Sequence, residues 1–366
     1  MELDLCGPSQ VILMENYKED YLGILDGIRG LMAFWVFFYH LTVACTGRIP
    51  TKFPGGQAVE VFMFLSGFLM AYHWIMREKK FNKFQGQTID FYVRRFFRIA
   101  PLYYVLLTIA FLGQSHFNQM QNYAAINFPN LAAHYTFFFG FLPQYSSSNM
   151  LPDWSIGLEM QFYLIFPFLM LAIGRFGSFS TVLSLVLIAV ITNKFFGLYG
   201  THGGWAGNPH PSLILFRIDI FVGGMCFAFA YLYRNSIQSL SWLVLGCISI
   251  FKCTMKLKFF AFFIIFMLCT DPDRKEFFHR VMSGRVAKFM GDTSYSVYLS
   301  HNLIMFPILY ILYQHQWFAG LSAYKRLSVA FVLIGVLVYA FSYFLFRLVE
   351  LPGINFGRNF LKSRKL

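Results

Sequence analysis

The chain has 366 residues, of which 57% are hydrophobic, 20% aromatic and only 13% charged, with a mean hydropathy of +0.54. It is too apolar for one soluble core, and its apolar residues come in blocks of membrane-spanning length, which excludes a soluble enzyme and points to an integral membrane protein. The net charge of +13 is gathered in particular loops, where it reports topology and contact with anionic membrane lipids; no nucleic-acid partner is expected.

Residues 1–25 carry Glu2, Asp4, Glu15, Glu19 and Asp20 against a single Lys18. A cleavable signal peptide needs a positive start before its apolar region, so this segment reads as a cytoplasmic N-terminal lead and the first apolar helix as an uncleaved span. Spans at 28–46 and 57–76 follow, joined by a short Gly- and Pro-containing turn. The most basic stretch comes next, Arg77 to Arg98, and placing it in the cytoplasm orients both spans before it. A third span starts near Ile99 and ends near Gly113. Residues 114–153 read as an outside loop with a re-entrant or interfacial piece, because the apolar patch at 135–142 is too short to cross.

Spans resume at 155–173, 180–196 and 212–233, with a flexible outside loop at 197–205. Two shorter apolar blocks, 240–251 and 257–270, hinge at Lys252–Lys256. Another basic segment, from Arg274 to Lys288, belongs inside, and spans at 293–313 and 327–349 complete the set. The expected fold is all-α, a polytopic membrane bundle of about ten transmembrane helices. Both termini are expected in the cytoplasm, with one membrane domain over 26–352 and a basic cytoplasmic tail over 353–366. The six cysteines show no CxxC and no metal-like spacing, so they are assigned no role and no metal is expected.

Three sets of polar residues require an explanation. Arg29 and His40 lie eleven positions apart on the first span, within about 20° of one helix face and about 16 Å apart along the axis. Ionisable groups at that depth are costly, and histidine is the side chain suited to exchanging a proton near neutral pH. The second set, Arg95 and Arg98, opens the third span; three apart, they share a face in its first turn and form a candidate phosphate clamp. The third set centres on Glu159, inside an apolar span with Ser155 and Tyr163 one turn away on either side. It could orient His40 or act as an acid or base itself. Lesser candidates are Glu60 and Ser66 on the second span, Arg217 and Asp219, which pair or form a rim, and the hydroxyl face from Ser294 to Ser300 with His301, for which a structural role is favoured. Cations at the cytoplasmic mouth, with an imidazole and an acid deeper in, suit a coenzyme A thioester.

Six motifs in order carry a resemblance. They are Leu25-Asp26-Gly27-Ile28-Arg29-Gly30 with His40, the run Val61–Phe68, and Arg95-Phe96-Phe97-Arg98 through Tyr103. Trp154-Ser155-Ile156-Gly157-Leu158-Glu159, Tyr295–His301 and Val349-Glu350-Leu351-Pro352 complete them. The chain resembles the acyltransferase-3 family of integral membrane acyltransferases, especially bacterial O-acetyltransferases of surface polysaccharides. The resemblance implies about ten helices, cytoplasmic acetyl-CoA as acyl donor and a bacterial inner-membrane location. It implies transfer to a hydroxyl of a glycan or lipid-linked glycan on the outer side, such as a lipopolysaccharide O-antigen. His40, Arg29 and Glu159 are then the catalytic candidates, and Arg95, Arg98, Ser66 and Tyr298 those for the donor. His40 acts as general base or as transient acyl carrier, and the residues do not choose between them. Family members often append an extracytoplasmic esterase-like domain; ending at Leu366, this chain is expected to be the stand-alone form. The rival class is a secondary transporter, which also keeps His, Glu and Arg at mid-membrane, but no inverted repeat is evident.

Overall fold

The structure is a computed structural model that describes residues 23–51, 54–78, 84–117, 127–142, 144–146, 148–195, 213–234, 236–251, 257–258, 260–261, 264 and 281–364. Its regular elements are all helical. They are α1 (Gly23–Thr46), α2 (Gly55–Glu78), α3 (Phe84–Phe117), α4 (Phe128–Tyr135), α5 (Trp154–Phe176), α6 (Ser178–Phe195) and α7 (Ile218–Leu232). There follow α8 (Gln238–Ser249), α9 (Arg285–Asp292), α10 (Ser294–Tyr313), α11 (Gln316–Ala319), α12 (Ala323–Leu345) and α13 (Leu351–Ser363).

Among the described residues, six stretches are long and apolar enough to cross a membrane: α1, α2, α3, α5, α10 and the continuous rod Ala323–Ser363 made by α12 and α13. α6, α7 and α8 are shorter apolar helices beside them. The chain is therefore a polytopic, all-α membrane protein. The expected span at 257–270 falls largely outside the described residues, and the lead up to residue 22, the loop 197–205, the hinge 252–256, and Arg274 and Lys275 fall wholly outside them.

Without a hydrophobic drive between helices in lipid, close backbone packing becomes the main source of association. α2 and α7 are joined in this way. A Cβ at Gly67 would come within 2.0 Å of the Phe221 carbonyl oxygen, and one at Gly224 within 2.0 Å of the Phe64 oxygen. Only glycine lets the two backbones meet. α12 turns Val332, Val336 and Phe344 outward as an exposed apolar belt suited to lipid.

Two helices outrun the membrane. α3 has 34 residues and the α12–α13 rod 41, about 50 and 60 Å against a hydrocarbon core of about 30 Å. The rod passes from α12 to α13 through a π turn, Phe346–Glu350, just before Pro352, which has no N–H to give to the ladder. The buried Glu350 in that turn accepts from Ser296 Oγ of α10 at 2.7 Å.

The start of α3 corrects one expectation. Arg95 and Arg98 do not occupy a first turn, because the helix begins at Phe84 and their N–H groups already serve its interior hydrogen bonds. The polar stretch before Ile99 hid this from hydropathy. It is helical because it packs on α2: Gln87 Nε2 donates to the Trp74 carbonyl at 2.8 Å, and Arg77 meets Asp90 at 3.5 Å.

Among its described residues, the segment before α5 holds no helix of spanning length. α4 has eight residues and is followed by a 3-10 turn at Phe138–Phe141. Asp153 pins it down: its Oδ2 accepts from Tyr103 Oη at 3.1 Å and Asn149 Nδ2 at 3.0 Å, with His134 Nε2 at 3.5 Å. Both His134 and Asp153 are buried.

Candidate active site

α1, α2, α3, α5, α7 and α10 enclose a central cavity of about 470 Å³. Arg29, Arg95 and Arg98 line it together with Asp26, so three guanidinium groups from two helices converge on one space. Arg29 is placed by the glycines beside it. A Cβ at Gly30 would come within 2.6 Å of Met290, so α1 lies flush on α9 and Arg29 faces inward. Its nearest acid is Asp26, at 3.8 Å. Arg95 lies over the rings of Tyr163 (5.5 Å) and Phe91 (5.8 Å), a geometry that holds a guanidinium without neutralising it. Arg98 makes no ion pair among the described residues.

Ser66, Ser155, Glu159 and Tyr298 line the same cavity. Ser66 Oγ donates to Glu159 Oε1 at 3.0 Å, and Tyr163 Oη donates to the same oxygen. Tyr298 Oη donates to the Pro152 carbonyl at 3.0 Å, which can only accept; Ser155 Oγ is therefore the donor in its 2.7 Å contact with Tyr298.

His40 is not among the residues lining this cavity. It lies beyond Tyr298, whose ring is 6.3 Å from that of His301. His40 Nδ1 and His301 Nε2 are 2.9 Å apart. His301 Nδ1 faces two carbonyl oxygens, of Tyr298 at 2.7 Å and Val297 at 3.1 Å, so in the neutral ring that nitrogen bears the proton. His301 Nε2 is then an acceptor, and His40 must donate from Nδ1. The lone pair of His40 is left on Nε2, the form in which an imidazole acts as base or nucleophile.

The structure thus gathers Arg29, Arg95, Arg98, Ser66, Glu159 and Tyr298 around one cavity and places His40 just past it. No hydrogen bond between Glu159 and His40 appears among the described residues. The Glu159 oxygen is taken by Ser66 and Tyr163, and the partner of His40 is His301, a buried residue read from sequence as chiefly structural. Arg217 pairs with Glu60 of α2 at 2.8 Å, whereas Asp219 accepts from the Ile220 amide. Glu60, Arg217 and Trp154 line a smaller cavity of about 220 Å³ that shares Met63 with the central one. The sequence reading missed His73, which lines the central cavity beside the arginines. The signal available was a histidine in an apolar run one turn before Arg77. Among the described residues no three His, Cys, Asp or Glu side chains converge as metal ligands.

Comparison with known proteins identifies relatives of this chain. The chain is 23% identical over 360 residues to the peptidoglycan O-acetyltransferase OatA of Listeria monocytogenes, covering 86% of this chain and 55% of that protein. It is 23% identical over 319 residues to the putative acetyltransferase ORF330 of Acidianus two-tailed virus, covering 78% of this chain and 84% of that one. It is 28% identical over 215 residues to the regulator of hypoxia-inducible factor 1 of Caenorhabditis elegans, covering 50% and 41%. The chain therefore spans little more than half the length of the Listeria relative. No solved structure matches it. The acyltransferase domain model of the acyltransferase-3 family matches residues 22–347, nearly the whole chain, which therefore belongs to that family.

Proposed function

We propose that the protein transfers an acyl group, acetyl in the simplest case, from cytoplasmic coenzyme A to a hydroxyl of a surface glycan. The observation that carries this reading is the central cavity, with three arginines at one end and the His40–His301 pair beyond Tyr298 at the other. Guanidinium forks match phosphate oxygens, so Arg95 and Arg98 hold the donor's diphosphate, and Arg29 steadies the arm. Ser66 and Tyr298 line its path. The acyl end then reaches the histidines.

At that point His40 Nε2 takes the proton of the acceptor hydroxyl as its oxygen attacks the thioester carbonyl, and coenzyme A leaves as the thiol once protonated. Glu159 fixes the Ser66 and Tyr163 hydroxyls on the cavity wall. The acceptor enters from the end marked by Glu60 and Arg217. In this orientation the protein lies in a bacterial inner membrane with both termini in the cytoplasm. The name of the Listeria relative supports a glycan acceptor; the one assigned here is a lipopolysaccharide O-chain.

Purified protein in lipid nanodiscs should release coenzyme A from acetyl-CoA when acceptor glycan is present, and His40→Ala should slow this by at least about 100-fold. Movement of sugar across vesicles without any use of acetyl-CoA would instead establish a transporter. Intact-mass detection of acetyl-His40 after acetyl-CoA alone would make His40 a carrier rather than a base.

A further inference from the structure

α13 closes a second cavity, of about 290 Å³, that shares His73, Arg95 and Arg98 with the central one. Arg77 from α2, Arg94 from α3 and Arg358 from α13 complete its basic wall, so five guanidinium groups face one carboxylate, Asp90. Asp90 is engaged by Arg94 at 2.9 Å and Arg77 at 3.5 Å. Among the described residues no acid lies within ion-pair distance of Arg95, Arg98 or Arg358. The excess positive charge is matched to a polyanion.

The wall is built by close packing. A Cβ at Gly353 would come within 2.7 Å of the Pro101 ring, and one at Gly357 within 2.8 Å of the Phe97 side chain. Phe356 adds a ring contact to Phe97 at 5.0 Å. Glycines four apart therefore let α13 lie directly on α3 and carry Arg358 to the cavity. Since α3 and the rod both outrun the hydrocarbon layer, these ends stand where a water-soluble anion reaches them.

We propose that this second cavity holds the nucleotide end of the acyl donor, with Arg358 beside Arg77 and Arg94 around the phosphate monoester on its ribose. The diphosphate then sits at Arg95 and Arg98, where the cavities join, and the acyl arm runs into the central one. This rests on the coenzyme A reading above. The C-terminal helix thereby becomes part of the donor site and selects coenzyme A over donors lacking that phosphate. An anionic lipid headgroup presents the same phosphate chemistry, and the test separates the two.

The full chain in phosphatidylcholine nanodiscs is assayed with acetyl-CoA and with 3′-dephospho-acetyl-CoA. The dephospho donor is expected to show a KM about ten- to a hundredfold higher, the loss of one or two hydrogen bonds between charged groups. Arg358→Ala should shrink that gap to a few-fold by raising the KM for acetyl-CoA. Arg175→Ala, an exposed arginine near the end of α5, should leave the gap as in the wild type. Equal KM values for the two donors in the wild type would overturn the proposal, as would an unchanged gap in Arg358→Ala. So would a gap that survives in Arg358→Ala while phosphatidic acid loses its binding to the nanodisc-embedded protein, which assigns the site to lipid. If Arg358→Ala does not fold, calorimetric titration of the wild type with coenzyme A and its dephospho form reads the same difference. Failure of the underlying function is distinct: neither donor would then bind or be consumed.

Discussion

The hydrogen bond from His40 to His301 decides which nitrogen of each ring carries a proton, and so which face of His40 can do chemistry. His301, like His40, is not among the residues lining the central cavity; in the proposed reaction it would act through His40 as a positioning residue. His301→Leu removes the acceptor and frees His40 to rotate or change tautomer. We expect kcat to fall by about ten- to a hundredfold, the cost of one misplaced general base, with KM for acetyl-CoA nearly unchanged. His301→Gln, whose amide oxygen accepts the same Nδ1–H, should recover part of the loss. Equal kcat in the two variants would argue for a packing role alone.

At the scale of elements, the buried carboxylate of Asp153 helps hold the excursion through α4, alongside the Ser148–Asn130 and Tyr104–Tyr135 hydrogen bonds. Burial raises the pKa of Asp153 above its ordinary value, against the opposing effects of His134 and two hydrogen-bonding neighbours. A raised carboxyl pKa means that the folded chain binds this proton more tightly than the unfolded one. Its contribution to stability is therefore largest below the unfolded value of about 4 and declines as pH rises through the folded value. Asp153→Asn keeps an oxygen for Tyr103 and Asn149 while removing the titration. The slope of melting temperature between about pH 4 and pH 7 should be flatter in the variant than in the wild type. An unaltered slope would show that Asp153 does not titrate differently in the folded state. Elsewhere glycine contacts seat α2 on α7 and α13 on α3, and the ion pairs Arg77–Asp90 and Arg217–Glu60 add ties from α2 to α3 and to the start of α7.

For the whole molecule, the length of the rod sets a topology that can be tested. Lys362 near the end of α13 and Arg48 in the turn after α1 are both exposed. With the basic ends of α3 and α13 in the cytoplasm, a cysteine replacing Lys362 should react with an impermeant maleimide only from the cytoplasmic face of sealed vesicles. A cysteine replacing Arg48 should react only from the other face. Labelling of each from the opposite face would invert the donor and acceptor ends of the cavity, and labelling of both from one face would overturn this topology.

Much of the architecture was legible in the chain. Apolar blocks of spanning length mark α1, α2, α5 and α10 within a few residues, because lipid forces the backbone to satisfy itself within each helix. Four of the polar residues out of place in those blocks, Arg29, Ser66, Glu159 and Tyr298, line one cavity, since charge and hydroxyl at membrane depth need a partner or a solvent-filled space. Less legible was whatever depends on one helix meeting another. Arg95 and Arg98 sit in mid-helix because the polar start of α3 is held by α2, a contact hydropathy does not record. Arg358 looked like topogenic charge until two glycines brought α13 onto α3. The pairing of His40 with His301, 261 positions apart, is likewise a product of packing alone. Sequence periodicity and hydropathy determine which residues enter the membrane; the close approach of distant backbones decides which of them meet.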